Sequence, residues 1–483
     1  MAASMAHRSR LGFRQLARAL GRPVLSPARH ESRSRDLLTA LSERGLIQDV
    51  FPSERGVGSL QLPELLQGGA QTVYCGFDPT ADSLHVGHLP ALLALLRFQR
   101  AGNHAIALIG GATARIGDPS GRALEREPLP PQQLATNVRA LRESLYRICN
   151  NQDLLDGEAC GGGSLTVLDN AAWYGERAVV EFLATVGHYF RMGPLLSRQS
   201  VRSRLQSPEG MSLSEFVYQV FQAYDFYYLH QRYDCKIQLG GSDQLGNIAT
   251  GYEFIQRVTG QAVFGITLPL ITSTAGDKLG KSAGNAVWLN REKTSPFEFY
   301  QFFVRQQDSC VERFLKIFTF LPLPEIKHIM DMHSKEPEKR GPQKRLAAEV
   351  TKFVHGREGL ESAKRCTNAL YQSSVDALEA MCDQELQEIF REAPFMELML
   401  EPGTTVLDVC HKASAIPDGA RGFAMITDGG VSINHHKVKN PHEVLVLGQH
   451  ILKNGLSLLK IGKKNLYVIK WLQLVPETES FRS

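Results

Sequence analysis

Residues 74–88 read YCGFDPTADSLHVGH and carry the strongest signal in the chain. An apolar strand over Thr72–Asp78 leads into a turn, and an apolar helix over Leu89–Gln99 begins directly behind the two histidines. The alternation continues with a strand at Ala105–Gly110, a strand ending at Ile237–Gly240, a helix at Gly246–Val258 and a strand at Phe264–Ile271. Strands that alternate with helices predict an α/β fold with a doubly wound parallel sheet. The ligands of such sheets lie at the carboxyl ends of the strands.

Length and composition exclude several classes of protein. A chain of 483 residues predicts roughly two to four domains. No apolar run reaches the length of about 18 residues that a membrane-spanning helix needs, so no membrane partner is expected. The eight cysteines include no C-x-x-C pair, so no protein-bound zinc is expected. Scattered in this way, the cysteines are expected to be reduced thiols.

The first residues of the chain are rich in arginine. Six arginines precede Glu31, which is the first carboxylate, and Arg10, Arg14 and Arg18 recur on one helical face. An amphipathic, basic, acid-free segment is typical of a mitochondrial transit peptide, here residues 1–35, and the alternative is a basic RNA-binding tail. Without these six arginines the net charge changes from +4 to −2, so RNA binding by the mature chain must use local basic patches.

Two motifs flank the first predicted helix. His85 and His88 fall on its first turn, beside amide groups that can meet a phosphate chain. Gly87 between them would let a purine ring lie against the backbone. After the next strand, Gly110–Arg122 brings glycines and the carboxylate of Asp118 to a turn, where backbone can approach a ligand closely. H-x-G-H alone is a weak signal, and its context makes it specific.

Three further motifs follow in the chain. Tyr218, Gln222 and Asp225 stand at i, i+4 and i+7, which is one face of a helix. Gly240–Asp243 ends a strand in two glycines followed by an acid, and Lys278–Ser282 reads KLGKS on a glycine-flanked loop. Taken singly, the first two patterns are also those of a polar helix face and of a glycine turn, and a K-x-x-K-S string is commonplace.

Together, and in this order, the motifs resemble those of class I aminoacyl-tRNA synthetases, with HIGH at His85–His88 and KMSKS at Lys278–Ser282. The flanks resemble the bacterial-type tyrosyl-tRNA synthetases, the vertebrate mitochondrial members above all, from about residue 45 to 471. The resemblance implies a Rossmann-like catalytic domain. It also implies a tyrosine–tRNA ligase that activates L-tyrosine with ATP, releases pyrophosphate, and transfers tyrosine to the 3′-terminal ribose of mitochondrial tRNA(Tyr) in the matrix.

The resemblance also assigns site residues. For tyrosine it implies Tyr74, Asp118, Tyr218, Gln222, Asp225 and Gln244. For ATP it implies Asp78, His85, Gly87, His88, Gly241, Asp243 and Lys281. For catalysis it implies Thr80, His85, His88, Arg122, Arg126, Lys278, Lys281 and Ser282. Tyr74 and Asp225 would bind the phenol, whereas Asp118, Tyr218 and Gln222 would hold the ammonium; Mg²⁺ would enter with ATP, and no metal ligands are assigned to the protein.

The domain prediction combines the resemblance with the helical pattern past residue 290. It places the transit peptide at 1–35, the catalytic domain at 36–290 with a dimer-forming insertion at about 125–215, an α-helical anticodon-binding domain at 291–400, an S-four-like α/β RNA-binding domain at 401–474, and a polar tail at 475–483. Helices are predicted at Pro296–Phe303, Val311–Phe318, Gln343–His355, Gly359–Tyr371 and Asp383–Phe390. Within Ser432–Lys470 seven lysines face one acid, which favours a nucleic-acid surface.

Three other functions compete with this interpretation. A tryptophanyl-tRNA synthetase would share the fold and the chemistry, but Tyr74 and Asp225 suit a phenol better than an indole. A synthetase-derived RNA-binding or splicing factor would have no need of both intact signature motifs. A small-molecule nucleotidyltransferase shares H-x-G-H, but it would not need the long C-terminal part with its lysine-rich segment.

Overall fold

The computed structural model describes residues 37–53, 61–122, 124–156, 163–175, 177–272, 279, 281–282, 285–371, 375–382, 385–386, 394–462 and 465–472. The predicted transit peptide and polar tail lie outside these ranges. Contacts divide the chain into two units. The first comprises the chain up to Thr294 together with Phe302–Gly356, and the second comprises Ser295–Gln301 and the chain from Arg357 onward. The assignment of three functional domains stays a prediction.

The strands are β1 Asp49–Phe51, β2 Thr72–Phe77, β3 His104–Ile109, β4 Ser164–Asp169, β5 Cys235–Gly241, β6 Phe264–Leu268, β7 Lys281–Ser282, β8 Asn285–Ala286, β9 Phe395–Met399, β10 Val431–Ile433, β11 His436–Val438, β12 Leu456–Ile461 and β13 Asn465–Leu472.

The helices are α1 37–43, α2 Leu62–Gln67, α3 Leu89–Arg100, α4 Pro131–Asp156, α5 Ala171–Tyr174, α6 Val179–Thr185, α7 Met192–Ser197, α8 Gln199–Leu205, α9 Leu213–Tyr233, α10 Leu245–Thr259, α11 Pro296–Val304, α12 Asp308–Phe318, α13 Leu323–His333, α14 Gly341–Tyr371, α15 Val375–Glu379, α16 Val406–Lys412 and α17 Ala420–Thr427.

The main sheet confirms the predicted doubly wound fold. Its order is β1-β6-β5-β2-β3-β4, and every pair is parallel except the edge strand β1 against β6. The chain runs from β2 outward to β3 and β4 and then returns to β5 on the other side of β2. The direction of winding therefore reverses between β2 and β5, which is where a ligand crevice forms at the carboxyl edge of such a sheet.

Burial explains why these segments form the elements they do. After His104, the side chains of β3 are apolar and buried, as expected of a central parallel strand covered on both faces. Helix α3 buries residues all round, and Pro90 lies in its first turn, where no intrahelical amide bond is lost. A cluster of Tyr74, Ile106, Phe226 and Phe254 joins the sheet to α9 and α10. The core thus fixes the carboxyl ends of β2, β3 and β5.

Two observations refine the predicted order of elements. Strand β4 and the helix after it fall within residues 125–215, so part of the range predicted as an insertion belongs to the main sheet. The helices predicted at Gln343–His355 and Gly359–Tyr371 are confirmed as the two helical segments of α14, which Gly356 separates with φ 75° and ψ −174°. Of the predicted helix at Asp383–Phe390, only residues 385–386 are described. No helix among the described residues is long and apolar enough to span a membrane.

The second unit contains a small α/β fold. Its sheet has the order β11-β10-β12-β13-β9, with β9 parallel to β13 and the other pairs antiparallel. Helices α16 and α17 pack on this sheet through Val409, Ile426 and Trp471. Asn434 takes a left-handed conformation and is fully buried, and its side chain bonds to the backbone of Gln449, His450 and Leu458. This bonding holds the long loop before β12 against the sheet.

Candidate active site

A cavity of about 510 Å³ opens at the carboxyl edge of the main sheet, between the ends of β2 and β5. Every site residue predicted from the sequence lines it except Lys278, Lys281 and Ser282. Lys278 lies outside the described residues, and Lys281 and Ser282 form β7, which pairs with β8. The structure therefore gathers four of the five motifs into one chamber.

The H-x-G-H segment forms a turn that leads into α3. The Nδ1 atom of His85 accepts a hydrogen bond from the amide of Gly87 at 3.0 Å, and the amide of His85 donates to Nδ1 of His88 at 3.1 Å. With Nδ1 as acceptor, a neutral His85 carries its proton on Nε2, the atom that can donate to a phosphate. A β-carbon on Gly87 would lie 2.8 Å from the His85 ring, so glycine here lets that ring take its place.

The carboxylate of Asp225 lies at one end of the cavity, on α9. It accepts hydrogen bonds from Asn170 Nδ2 at 2.9 Å, from Trp173 Nε1 at 2.8 Å and from the Tyr174 hydroxyl at 2.8 Å. Burial raises the pKa of Asp225 to about 7, and the three donors act in the opposite direction by favouring the charged form. A carboxylate held this firmly has a fixed direction in which it can accept one more hydrogen bond.

Two buried polar atoms stand beside this end of the cavity without a hydrogen-bond partner among the described residues. They are the hydroxyl oxygen of Tyr74 on β2 and Oε1 of Gln238 on β5. Tyr74 is only 2% exposed, and Asp225 is close enough to raise its pKa after the effect of burial. Buried polar groups in proteins are normally satisfied, so these two atoms are positioned to pair with a polar group of a ligand.

A second polar cluster surrounds Asp118 in the middle of the cavity. Its carboxylate accepts from the amide of Ser120 at 2.9 Å and from Gln244 Nε2 at 2.6 Å. Asn247 Nδ2 lies within 3.4 Å of Asp118 and donates to Oε1 of Gln222 at 3.0 Å. The cluster is rich in acceptor oxygens, so it suits a cationic group of a ligand.

The remaining lining differs in character. Gly241 precedes Asp243, and a β-carbon on the glycine would lie 2.7 Å from Asp243 Oδ1, so the backbone stays open there. Arg122 and Arg126 also line the cavity and bring positive charge to it. Among the described residues, no three or more histidine, cysteine, aspartate or glutamate side chains group to hold a metal ion.

Comparison with known proteins shows the family to which the chain belongs. Residues 67–372 match the family model described as tRNA synthetases class I (W and Y). The chain is 68% identical to the human mitochondrial tyrosine–tRNA ligase over 447 residues, which cover 92% of this chain and 93% of that protein. The chain belongs to the tyrosyl-tRNA synthetases of class I. As a member of that family it is a tyrosine–tRNA ligase that uses ATP.

Two further relatives extend the match for this tyrosyl-tRNA synthetase. The tyrosine–tRNA ligase of Geobacillus stearothermophilus is 39% identical over 438 residues, which cover 90% of this chain and all of that protein, 100%. The crystal structure of a C-terminally truncated mitochondrial tyrosyl-tRNA synthetase from Aspergillus nidulans is similar with a TM-score of 0.64 and 32% identity. It covers 71% of this chain and 99% of the truncated one.

Sequence reasoning missed several residues of this synthetase's site. Asn170, Trp173 and Tyr174 follow β4 and hold Asp225, whereas the prediction placed that segment in a dimer-forming insertion. Asn247 and Gln238 were missed as well. The one available signal was the position of Asn170, which directly follows a strand, as Asp78 does.

Proposed function

We propose that the cavity binds tyrosine with its phenol against Tyr74 and Asp225 and its ammonium against Asp118, Tyr218 and Gln222. The observation that carries this proposal is the unpartnered hydroxyl of Tyr74 beside the rigidly held Asp225 carboxylate. A phenol hydroxyl can donate to the carboxylate and accept from Tyr74, which satisfies both. An indole has one donor and no acceptor, so it would leave Tyr74 without a partner.

ATP would bind across the other half of the cavity. Its adenosine would lie against Gly241, its ribose against Asp243 with His88 on the same side, and its phosphates against His85; all four residues line the cavity. The tyrosine carboxylate then attacks the α-phosphorus in line, and pyrophosphate leaves. The nucleophile is already an anion, so the reaction needs no general base.

Catalysis would then consist of positioning and of charge stabilisation on the transferring phosphoryl group. Thr80, His85, Lys278, Lys281 and Ser282 are the proposed donors, and Arg122 and Arg126 would bind pyrophosphate. Mg²⁺ would enter with ATP, because phosphate oxygens and water are the ligands it usually keeps at such sites. In the second step the tyrosyl group passes to the 3′-terminal ribose of tRNA(Tyr).

The C-terminal part would bind the tRNA. Within the second unit Lys437, Lys439 and Lys453 are exposed, and the segment Ser432–Lys470 carries a strong excess of lysine over acid. Such a surface attracts the phosphate backbone without reading sequence. Residues 291–400 would serve the anticodon side, and residues 401–474 would act as an S-four-like RNA-binding domain.

The activity is tested by ATP–pyrophosphate exchange with each of the twenty amino acids in turn. Tyrosine alone should support rapid exchange, and tryptophan should not. The proposal for the cavity fails if another amino acid supports exchange better than tyrosine. A protein that binds tRNA(Tyr) but exchanges with no amino acid would instead indicate an RNA-binding factor.

Localisation in the mitochondrial matrix is proposed from the arginine-rich start, and the human and fly relatives are both named mitochondrial. Residues 1–45 fused to a fluorescent protein should direct it to mitochondria, because an amphipathic basic segment is what the import machinery recognises. The same fusion with Arg10, Arg14 and Arg18 changed to glutamine should remain cytosolic. Diffuse signal from the unaltered fusion would refute the targeting proposal.

A homodimer is proposed as the working form. Exposed apolar side chains on α6, α7 and the start of α9 support it, among them Val180 at 79% and Leu213 at 76% exposed. Light scattering on the mature protein should give about twice the chain mass, and Val180→Glu should yield a monomer because a charge would be buried in the interface. Met332→Glu, at an exposed apolar position elsewhere, should stay dimeric. A monomer that is fully active at low concentration would contradict the proposal.

A further inference from the structure

Asp78 was assigned to ATP by resemblance, but its side chain lies among the residues proposed for tyrosine. Its Oδ2 atom accepts a hydrogen bond from the hydroxyl of Tyr218 at 2.7 Å, and its Oδ1 atom accepts from the hydroxyl of Thr113 at 2.9 Å. A β-carbon on Gly110 would lie 1.9 Å from Oδ1, so glycine at the end of β3 makes room for this carboxylate. Two hydrogen bonds, one from α9 and one from the turn after β3, therefore hold the carboxylate in one direction.

The hydrogen bond to Asp78 determines what Tyr218 can do. A phenol has a single proton, and Tyr218 gives it to Asp78. The lone pairs of the phenol oxygen are then left to accept a hydrogen bond from a ligand. An ammonium group has three donors and no acceptor, so it needs oxygens in this state. Without Asp78, Tyr218 could turn its proton toward the ammonium and repel it.

Charge points the same way. Burial raises the pKa of Asp78 to about 6, and the nearby charge of Asp118 also raises it, whereas the hydrogen bonds from Tyr218 and Thr113 act to lower it. A ligand with a positive charge between the two carboxylates relieves the repulsion between them. A triphosphate placed against the same pair would add negative charge to it. The pair thus matches an ammonium and not a phosphate.

We propose that Asp78 is a positioning residue of the ammonium end of the tyrosine site, which takes the proton of Tyr218 so that the phenol oxygen accepts from the substrate ammonium. The inference rests on the proposed binding of tyrosine in this cavity. It moves the Asp78 side chain from the nucleotide to the amino acid, while Gly241 and Asp243 keep the nucleotide role.

Two tyrosine analogues separate the roles. Tyrosinol keeps the phenol and the ammonium but has no carboxylate, whereas 3-(4-hydroxyphenyl)propionate keeps the phenol and the carboxylate but has no ammonium. Asp78→Asn in the mature chain should weaken the binding of tyrosinol by about 10- to 100-fold, which is the range for a lost charge-assisted contact. Binding of 3-(4-hydroxyphenyl)propionate should stay unchanged or tighten, because one negative charge has left the cavity.

A double-mutant cycle tests the route through Tyr218. If Asp78 acts by orienting that phenol, the effects of Tyr218→Phe and Asp78→Asn on tyrosinol affinity should not be additive. The double variant should then lose less affinity than the product of the two single fold-losses. Asp243→Asn is the matched control, since it removes an acid of the same cavity; it should raise the KM for ATP and leave tyrosinol binding unchanged.

The possible failures differ from one another. If Asp78→Asn raises the KM for ATP and leaves the affinity for tyrosinol unchanged, the side chain serves the nucleotide and the inference is wrong. If the affinities for the two analogues fall by the same factor, Asp78 only maintains the fold of the cavity, which also overturns the inference. If the wild-type chain fails to activate tyrosine in the exchange assay, the proposed function itself fails, whatever the variants show.

Discussion

Replacing His85 or Lys281 with alanine will slow formation of tyrosyl-adenylate by about 10²–10³-fold each, the effect of one lost donor to the transition state. His85 lies on the turn before α3, and its Nδ1 atom is engaged by the amide of Gly87. The neutral ring therefore carries its proton on Nε2, which is the donor that the proposed scheme directs to the phosphoryl group. In the proposed scheme the ammonium of Lys281 also stabilises the phosphoryl group, as a compact positive charge.

Single-turnover measurement of adenylate formation, with tyrosine and ATP varied separately, checks this result. Tyrosine affinity should change little, since neither residue is assigned to the amino acid. His104→Ala is the matched control, because His104 begins β3 at the opposite edge of the sheet and bonds to Ser164 there. An unaltered rate in either variant would remove that residue from the mechanism.

The sequence was sufficient for the parts of the site that local pattern encodes. Each predicted strand of the main sheet appears within a few residues of its expected limits, because apolar runs bounded by glycine report burial directly. The stripe of Tyr218, Gln222 and Asp225 on α9 faces the cavity as its spacing predicts, since residues four and seven apart share one helical face.

The contacts that tune these residues could not be predicted in the same way. Asn170 and Trp173 stand more than fifty positions from Asp225, and only the folded sheet brings β4 close to α9. The same limit applies to the role proposed here for Asp78, because its hydrogen-bond partner Tyr218 is 140 positions away. Long-range partners decide which end of a cavity a carboxylate serves.

Selectivity between tyrosine and phenylalanine is the second large effect that we expect. Phenylalanine fits any pocket that tyrosine fits, so shape alone cannot exclude it. Binding it would bury the Asp225 carboxylate and the Tyr74 hydroxyl without the substrate hydroxyl, at roughly 1–3 kcal/mol or more of desolvation for each group. Tyr74→Phe should therefore lower the tyrosine-to-phenylalanine ratio of kcat/KM by about 2- to 10-fold, which is the value of a neutral hydrogen bond. Most of this change should come from a lower kcat/KM for tyrosine.

Asp225→Asn should lower kcat/KM for tyrosine more, by about 10- to 100-fold, because a charged acceptor binds a phenol more strongly than an amide does. The loss should also grow with pH from 6 to 8 relative to wild type, since the wild-type carboxylate, with a pKa raised to about 7, becomes the better acceptor as it ionises. Pyrophosphate exchange with both amino acids on each variant measures these effects, and Asp243→Asn should leave the tyrosine-to-phenylalanine ratio intact. If Tyr74→Phe also leaves that ratio unchanged, Tyr74 does not bind the phenol; if wild type prefers tryptophan, Asp225 is held by Asn170, Trp173 and Tyr174 for a different substrate.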